Sequence, residues 1–138
     1  MRKYLFIGCG GFLGAMSRCA IKLIPYAKST GNFPLSTLLI NITGCFLLAF
    51  TLTITLQLWR INTEVRNLLT VGFFGSYTTF STFSKEIYNL ILAKNYVSSG
   101  LYMSLSIILG LFLCALGIAF AEKLAHRTDE NPHFWKES

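Results

Sequence analysis

Charge is scarce in this chain. Only 13% of its 138 residues are Asp, Glu, Lys or Arg, about half of the roughly 25% usual for soluble domains. Acidic residues are the rarer sign, 6 against 12 basic ones. No carboxylate pair falls inside an apolar segment, and both histidines, His126 and His133, lie in the C-terminal tail. The acid–base and nucleophile–base constellations of an enzyme are therefore missing. No Walker loop or dinucleotide fingerprint occurs either. The four cysteines, Cys9, Cys19, Cys45 and Cys114, contain no CxxC pair and have no neighbouring histidine cluster. That argues against a zinc site or a disulfide framework, and the four read as small apolar fillers. The formal charge of +6 comes from residues beside apolar segments, not from a basic stripe. Nucleic acid is excluded as a partner on that pattern.

Apolar sequence fills the space. Hydrophobic residues make up 53% of the chain, with a mean hydropathy of +0.54. Four apolar stretches, about 4–24, 35–58, 66–93 and 101–121, each approach the roughly 20 residues that cross a bilayer. We expect an all-α polytopic membrane protein with one four-helix domain, 1–138, whose polar tail, 122–138, is frayed or short helix. Arg2 and Lys3 before 4–7 resemble the start of a signal peptide. The apolar run continues through Gly8, Gly10, Gly11 and Gly14, however, and further spans follow, so it reads as a retained first helix. Those glycines, with Ala15 and Ser17, make a surface for close helix packing. Segments 25–34 and 94–100 read as connections, and Trp59 beside Arg60 as an interfacial anchor.

Orientation is weakly encoded. Arg2, Lys3, Arg60, Arg66, Lys123 and Arg127 fall on one side, and Lys22, Lys28 and Lys94 on the other. The balance favours a cytoplasmic N-terminus, yet both faces are basic, a pattern compatible with insertion both ways round. Four helices make little wall for a pore, so a homo-oligomer is expected, with a homodimer presenting eight helices.

The third span is the unusual one. It exceeds a single crossing, and its centre, 72–84, reads GFFGSYTTFSTFS. Unpaired polar groups in hydrocarbon cost several kcal/mol, so this block should face protein, ions or water. A helix break near 75–79 would free carbonyls of the kind that coordinate ions. Phe80 and Phe83 share one helical face, either as lipid-facing or core packing, or as part of a site with Thr79, Ser81, Thr82 and Ser84. A ring edge suits an anion and a ring face a cation, and composition leaves both open. Asn41 supplies an amide for an interhelical hydrogen bond or for a dehydrated anion. Tyr102 and Ser106 share a face of the fourth helix, whereas Ser104 points elsewhere. Arg18, inside the first span, either anchors to lipid phosphate or draws anions into a vestibule. Lys85 and Glu86 mark the exit of a broken helix or join an ion pair.

Three segments together carry a family resemblance: 8–18 (GCGGFLGAMSR), 41–46 (NITGCF) and 72–84. In this order they resemble the Fluc/CrcB family of fluoride channels across all four spans. The resemblance implies a dual-topology antiparallel homodimer in the cell inner (plasma) membrane. It further implies passive export of cytoplasmic fluoride along two pathways between the subunits. It assigns Phe80, Phe83 and Asn41 to the pathway, likens Ser106 with Tyr102 and Ser104 to a polar track, and matches Arg18 to an arginine near the vestibule. It also implies a structural sodium ion at the dimer centre, held by the backbone carbonyls of Gly75 and Thr78. The family often has glycine then leucine where this chain has Ser76 and Tyr77. Two other readings fit the size of the chain. A small multidrug transporter wants an acid in the membrane core, and Glu86, near the end of its span, is the one candidate. A structural membrane subunit would leave the aromatic–hydroxyl block unexplained.

Overall fold

The structure is a computed structural model that describes residues 2–23, 33–57 and 61–129. Trp59, Arg60, part of the first connection (25–32, with Lys28) and the end of the tail (130–138) lie outside the described residues. Among the described residues, three helices are long and apolar enough to cross a membrane: α1 (Arg2–Leu23), α2 (Leu35–Gln57) and α6 (Tyr96–Asp129). At 1.5 Å per residue, the 22 residues of α1 reach about 33 Å, enough for a hydrocarbon layer of about 30 Å. Three threonine hydroxyls inside α2 are satisfied by their own helix. Thr43 donates to the Leu39 carbonyl at 2.7 Å, Thr53 to Ala49 at 2.9 Å and Thr55 to Leu52 at 3.0 Å, so none presents an unpaired hydroxyl to lipid.

The third segment is a chain of short pieces. It comprises α3 (Thr63–Asn67), a π-helical stretch (Leu68–Phe74), α4 (Gly75–Tyr77) and, after a break, α5 (Phe80–Leu92). Asn62 opens it as an N-cap, its Oδ1 accepting from the Glu64 amide at 3.2 Å. The π-helical stretch lies against α1, where Gly10 and Gly14 let the two backbones meet. A Cβ on Gly10 would overlap the Leu68 carbonyl, and one on Gly14 the Phe73 carbonyl. Gly72 returns the contact, since a Cβ there would stand 2.6 Å from the Ile7 carbonyl oxygen. The expected glycine surface is thus narrower than the sequence suggests, because nothing lies within 4 Å of a Cβ on Gly8. The break falls at Thr78 (φ −74°, ψ 155°) and Thr79 (φ −148°, ψ 110°), both extended, inside the expected 75–79 window.

The second correction concerns α6, which begins five residues before the expected span and runs beyond 121 into the tail. Its start is set by Asn95, whose carbonyl accepts from Ser99 N–H at 3.1 Å and whose Oδ1 accepts from Ser98 N–H at 3.4 Å. At its far end nothing breaks the helix on leaving the apolar stretch, and His126 and Arg127 in the last turn complement its dipole. The expected 94–100 connection shrinks to a tight turn. Lys94 N–H donates to the Ile91 carbonyl and Asn95 N–H to Leu90, each at 2.9 Å, the paired closure of a left-handed helix stop. Lys94 takes the left-handed conformation (φ 57°), which costs a residue with a Cβ about 1–2 kcal/mol. Lys94→Gly is therefore expected to stabilise the protein by about 0.5–1 kcal/mol after the entropy of the unfolded glycine is counted. A rise in the thermal midpoint of the detergent-solubilised protein checks this.

α2 and α6 form the most extensive helix pair in the bundle. Gly117 lets α6 rest on α2, a Cβ there standing 2.5 Å from the Phe46 carbonyl oxygen. Leu38, Leu90 and Tyr102 form the buried core where α2, α5 and α6 converge, flanked by Phe33, Ile42, Phe83 and Ile87.

Candidate functional site

The helix break and Asn41 form one unit. Asn41 Oδ1 accepts from Thr79 N–H at 2.9 Å, and Asn41 Nδ2 donates to the Thr79 carbonyl at 3.4 Å. The side-chain amide of α2 thus gives Thr79 N–H the acceptor it loses by leaving the helix. Its second amide hydrogen is not taken by Thr79. Thr79 in turn caps α5, its Oγ1 accepting from Thr82 N–H at 3.2 Å. The preceding turn is held by Tyr77, whose hydroxyl lies 3.0 Å from Thr43 Oγ1 and whose ring stacks on Phe73 at 5.9 Å. Gly44 makes room for it: a Cβ there would overlap the Thr78 methyl and stand 3.3 Å from the Tyr77 ring. Tyr77 is thereby built into the break.

Beside this unit lies a pocket of about 360 Å³ lined by Asn41, Thr78, Thr79, Phe80, Phe83 and Ser106, with Gly44, Cys45, Leu48 and Ile107. Among the described residues, no charged side chain lines it. Four of the sequence-predicted pathway residues, Asn41, Phe80, Phe83 and Ser106, therefore meet at one place. Phe80 and Phe83 have ring centroids 6.0 Å apart, and Phe80 is 80% exposed in the single chain. Tyr102 stands behind the pocket. Its ring lies 5.1 Å from Phe83, and its carbonyl accepts from Ser106 Oγ at 2.7 Å. Ser104 is exposed on another face of α6, and Arg18, half-buried on α1, is not part of the pocket wall.

Glu86 is the residue that sequence reasoning underrated. Lys85 is exposed, but Glu86 turns inward, its Oε1 accepting from Thr37 Oγ1 at 2.7 Å and its Oε2 from Tyr102 Oη at 2.8 Å. Thr37 and Tyr102 are both fully buried. The carboxylate thus ties α2, α5 and α6 together at the end of the aromatic row. A readable signal existed: Phe83, Glu86 and Leu90 are spaced as one helical face, and that face carries the core. Tyr102→Phe keeps the ring contacts but leaves the carboxylate with one donor, so it is expected to destabilise the protein by about 1–3 kcal/mol. A lowered thermal midpoint in detergent checks it.

The carbonyls of Gly75 and Thr78 meet the elementary requirement for a cation ligand, because both lose their helical donors. Thr79 N–H goes to Asn41 instead of Gly75, and Thr82 N–H goes to Thr79 Oγ1 instead of Thr78. Gly75 is exposed, with nothing within 4 Å of a Cβ built on it. Carbonyl oxygens of this kind suit a hard monovalent cation.

Comparison with known proteins covers nearly the whole fold. The family model described as CrcB-like protein, Camphor Resistance (CrcB), matches residues 5–118. The fluoride-specific ion channel FluC 1 of Bacillus cereus is 42% identical over 126 residues, 90% of this chain and 92% of that protein. The fluoride-specific ion channel FluC of Phocaeicola vulgatus is 38% identical over 122 residues, 88% of this chain and 100% of that one. FluC 1 of Staphylococcus aureus is 34% identical over 116 residues, 84% and 93% of the two chains.

Proposed function

This chain belongs to the CrcB-like family, and from that membership we propose that it is a passive, fluoride-selective channel of the plasma membrane, exporting cytoplasmic fluoride. It is a multi-pass membrane protein and a channel, not an enzyme. The observation that carries the reading is 42% identity to a fluoride-specific ion channel across 90% of the chain, a span that includes the broken helix and its pocket.

Fluoride is small, strongly hydrated and a strong hydrogen-bond acceptor, so a narrow path must replace its water with donors. The free amide hydrogen of Asn41 and the edges of Phe80 and Phe83 supply some of these. The hydroxyls of Thr78, Thr79 and Ser106 donate to neighbouring oxygens, and each can rotate towards a stronger acceptor. With no fixed charge on the wall, binding stays weak enough for exit. Tyr102 positions the track from behind, Ser104 contributes from another surface, and Arg18 draws anions towards a vestibule or anchors to lipid phosphate.

The working unit in this reading is an antiparallel homodimer with two pathways between its subunits. The exposed aromatic and apolar side chains of α5, Phe80, Tyr88 and Leu92, support a covered face there. Gly75 and Thr78 would hold a structural sodium ion through their carbonyls, two from each subunit. Bound there, sodium would supply the positive charge that the carbonyl oxygens left without donors can coordinate.

Efflux from liposomes containing the purified protein tests the function. Under matched potassium gradients, rapid fluoride release with little chloride release is expected. No fluoride release from monodisperse protein would overturn it, and exchange of a cationic drug instead would favour the transporter reading.

A further inference from the structure

α2 and α6 pack in parallel register. Leu38 meets Tyr102, Cys45 meets Gly110, and Phe46 and Phe50 meet Gly117. A Cβ built on Gly110 would stand 3.6 Å from Cys45 Sγ. Cys114 lies four residues past Gly110 and three before Gly117, on the same face of α6. That places it on the α2-facing seam of α6, one turn beyond the point where Gly110 meets Cys45. Both are free and half-buried, whereas Cys9 and Cys19 are exposed on α1. Cys45 also borders the pocket beside the helix break.

We propose that Cys45 and Cys114 form a two-thiol site for a soft divalent cation of the Hg(II) type, bridging α2 and α6 beside the pocket. Two sulfur ligands suit a thiophilic d10 ion that accepts linear, two-fold coordination. Zinc wants four ligands, and no cluster of three or more His, Cys, Asp or Glu exists among the described residues. Charge selects further. Two thiolates neutralise a divalent ion, so the complex enters the apolar seam without net charge, whereas a monovalent ion would leave an anion buried there. The reaction is simple exchange: two S–H bonds break, two metal–sulfur bonds form and two protons are released, with no change of oxidation state.

The test uses full-length protein in detergent carrying Cys9→Ser and Cys19→Ser, titrated with Hg(II) and read by free-thiol count and intact mass. One metal ion per chain with both remaining thiols consumed is expected. Adding Cys45→Ser or Cys114→Ser should weaken binding by about 10²–10⁴-fold, the effective-concentration advantage of the second ligand. Two metal ions per chain, one on each thiol, would overturn the proposal. So would equal affinity in the single variants, or metal-bridged pairs of chains. The parent titration needs no folding-sensitive variant of the seam itself. Because transport is not measured, its outcome and that of the channel reading stand apart.

Discussion

Asn41→Asp is expected to cut fluoride release by about 10²-fold while leaving the protein folded. Aspartate keeps an oxygen to accept Thr79 N–H, now 2.9 Å from Asn41 Oδ1; this shorter bond is expected to hold the helix break although the 3.4 Å bond to the Thr79 carbonyl is lost. It loses the amide donor and places an anion on a pocket wall that carries no charge. Two like charges about 5 Å apart repel by about 3 kcal/mol at an effective dielectric of 20, and 1.4 kcal/mol is a factor of ten. Liposome efflux gives the rate, and an unchanged elution profile shows that the fold is intact. Wild-type release from the aspartate variant would remove Asn41 from the pathway and leave it a purely interhelical bond.

Gly14→Val should have the largest effect on stability. The new side chain would enter the Phe73 carbonyl, and the nearest atoms it meets are all Phe73 backbone, so no rotamer change relieves the overlap. Overpacking costs about 1–3 kcal/mol where side chains can shift, and more where they cannot. A loss of about 3 kcal/mol or more is expected, a large share of the roughly 5–15 kcal/mol that holds a domain together. The fraction of monodisperse protein after a heat step measures it. Gly8→Ala is the control, since nothing lies within 4 Å of a Cβ there, and its stability should stay within about 0.5 kcal/mol of the parent.

The parts of the fold visible in the sequence were those set by composition and helical periodicity. Apolar length revealed the spans, and the glycine and hydroxyl density of 72–84 revealed a break that the structure puts at Thr78 and Thr79. Three-residue spacing foretold that Phe80 and Phe83 would meet. Contacts between segments were less visible. That Asn41 would pair with the backbone of Thr79 depends on α2 lying beside the break, and no local pattern states it. Glu86 was hidden by its neighbour Lys85, because adjacent charges suggest a solvated pair when the helical face is not followed through to Leu90. Its inward placement also weakens the argument that a coupled transporter lacks an acid in the bundle. What separates the channel from that alternative is family membership, together with the absence of charge from the pocket wall. The early start of α6 was missed because Asn95 acts through its carbonyl and side chain, a signal easily read as part of a loop.

Passive fluoride conduction is tested most directly by the reversal potential of the purified protein in a planar bilayer with unequal fluoride and equal chloride on the two sides. The account predicts a reversal potential that moves by about 59 mV for each tenfold change in the fluoride gradient and ignores added chloride. A reversal potential that follows chloride or the cation, or flux that needs a proton gradient, would contradict it.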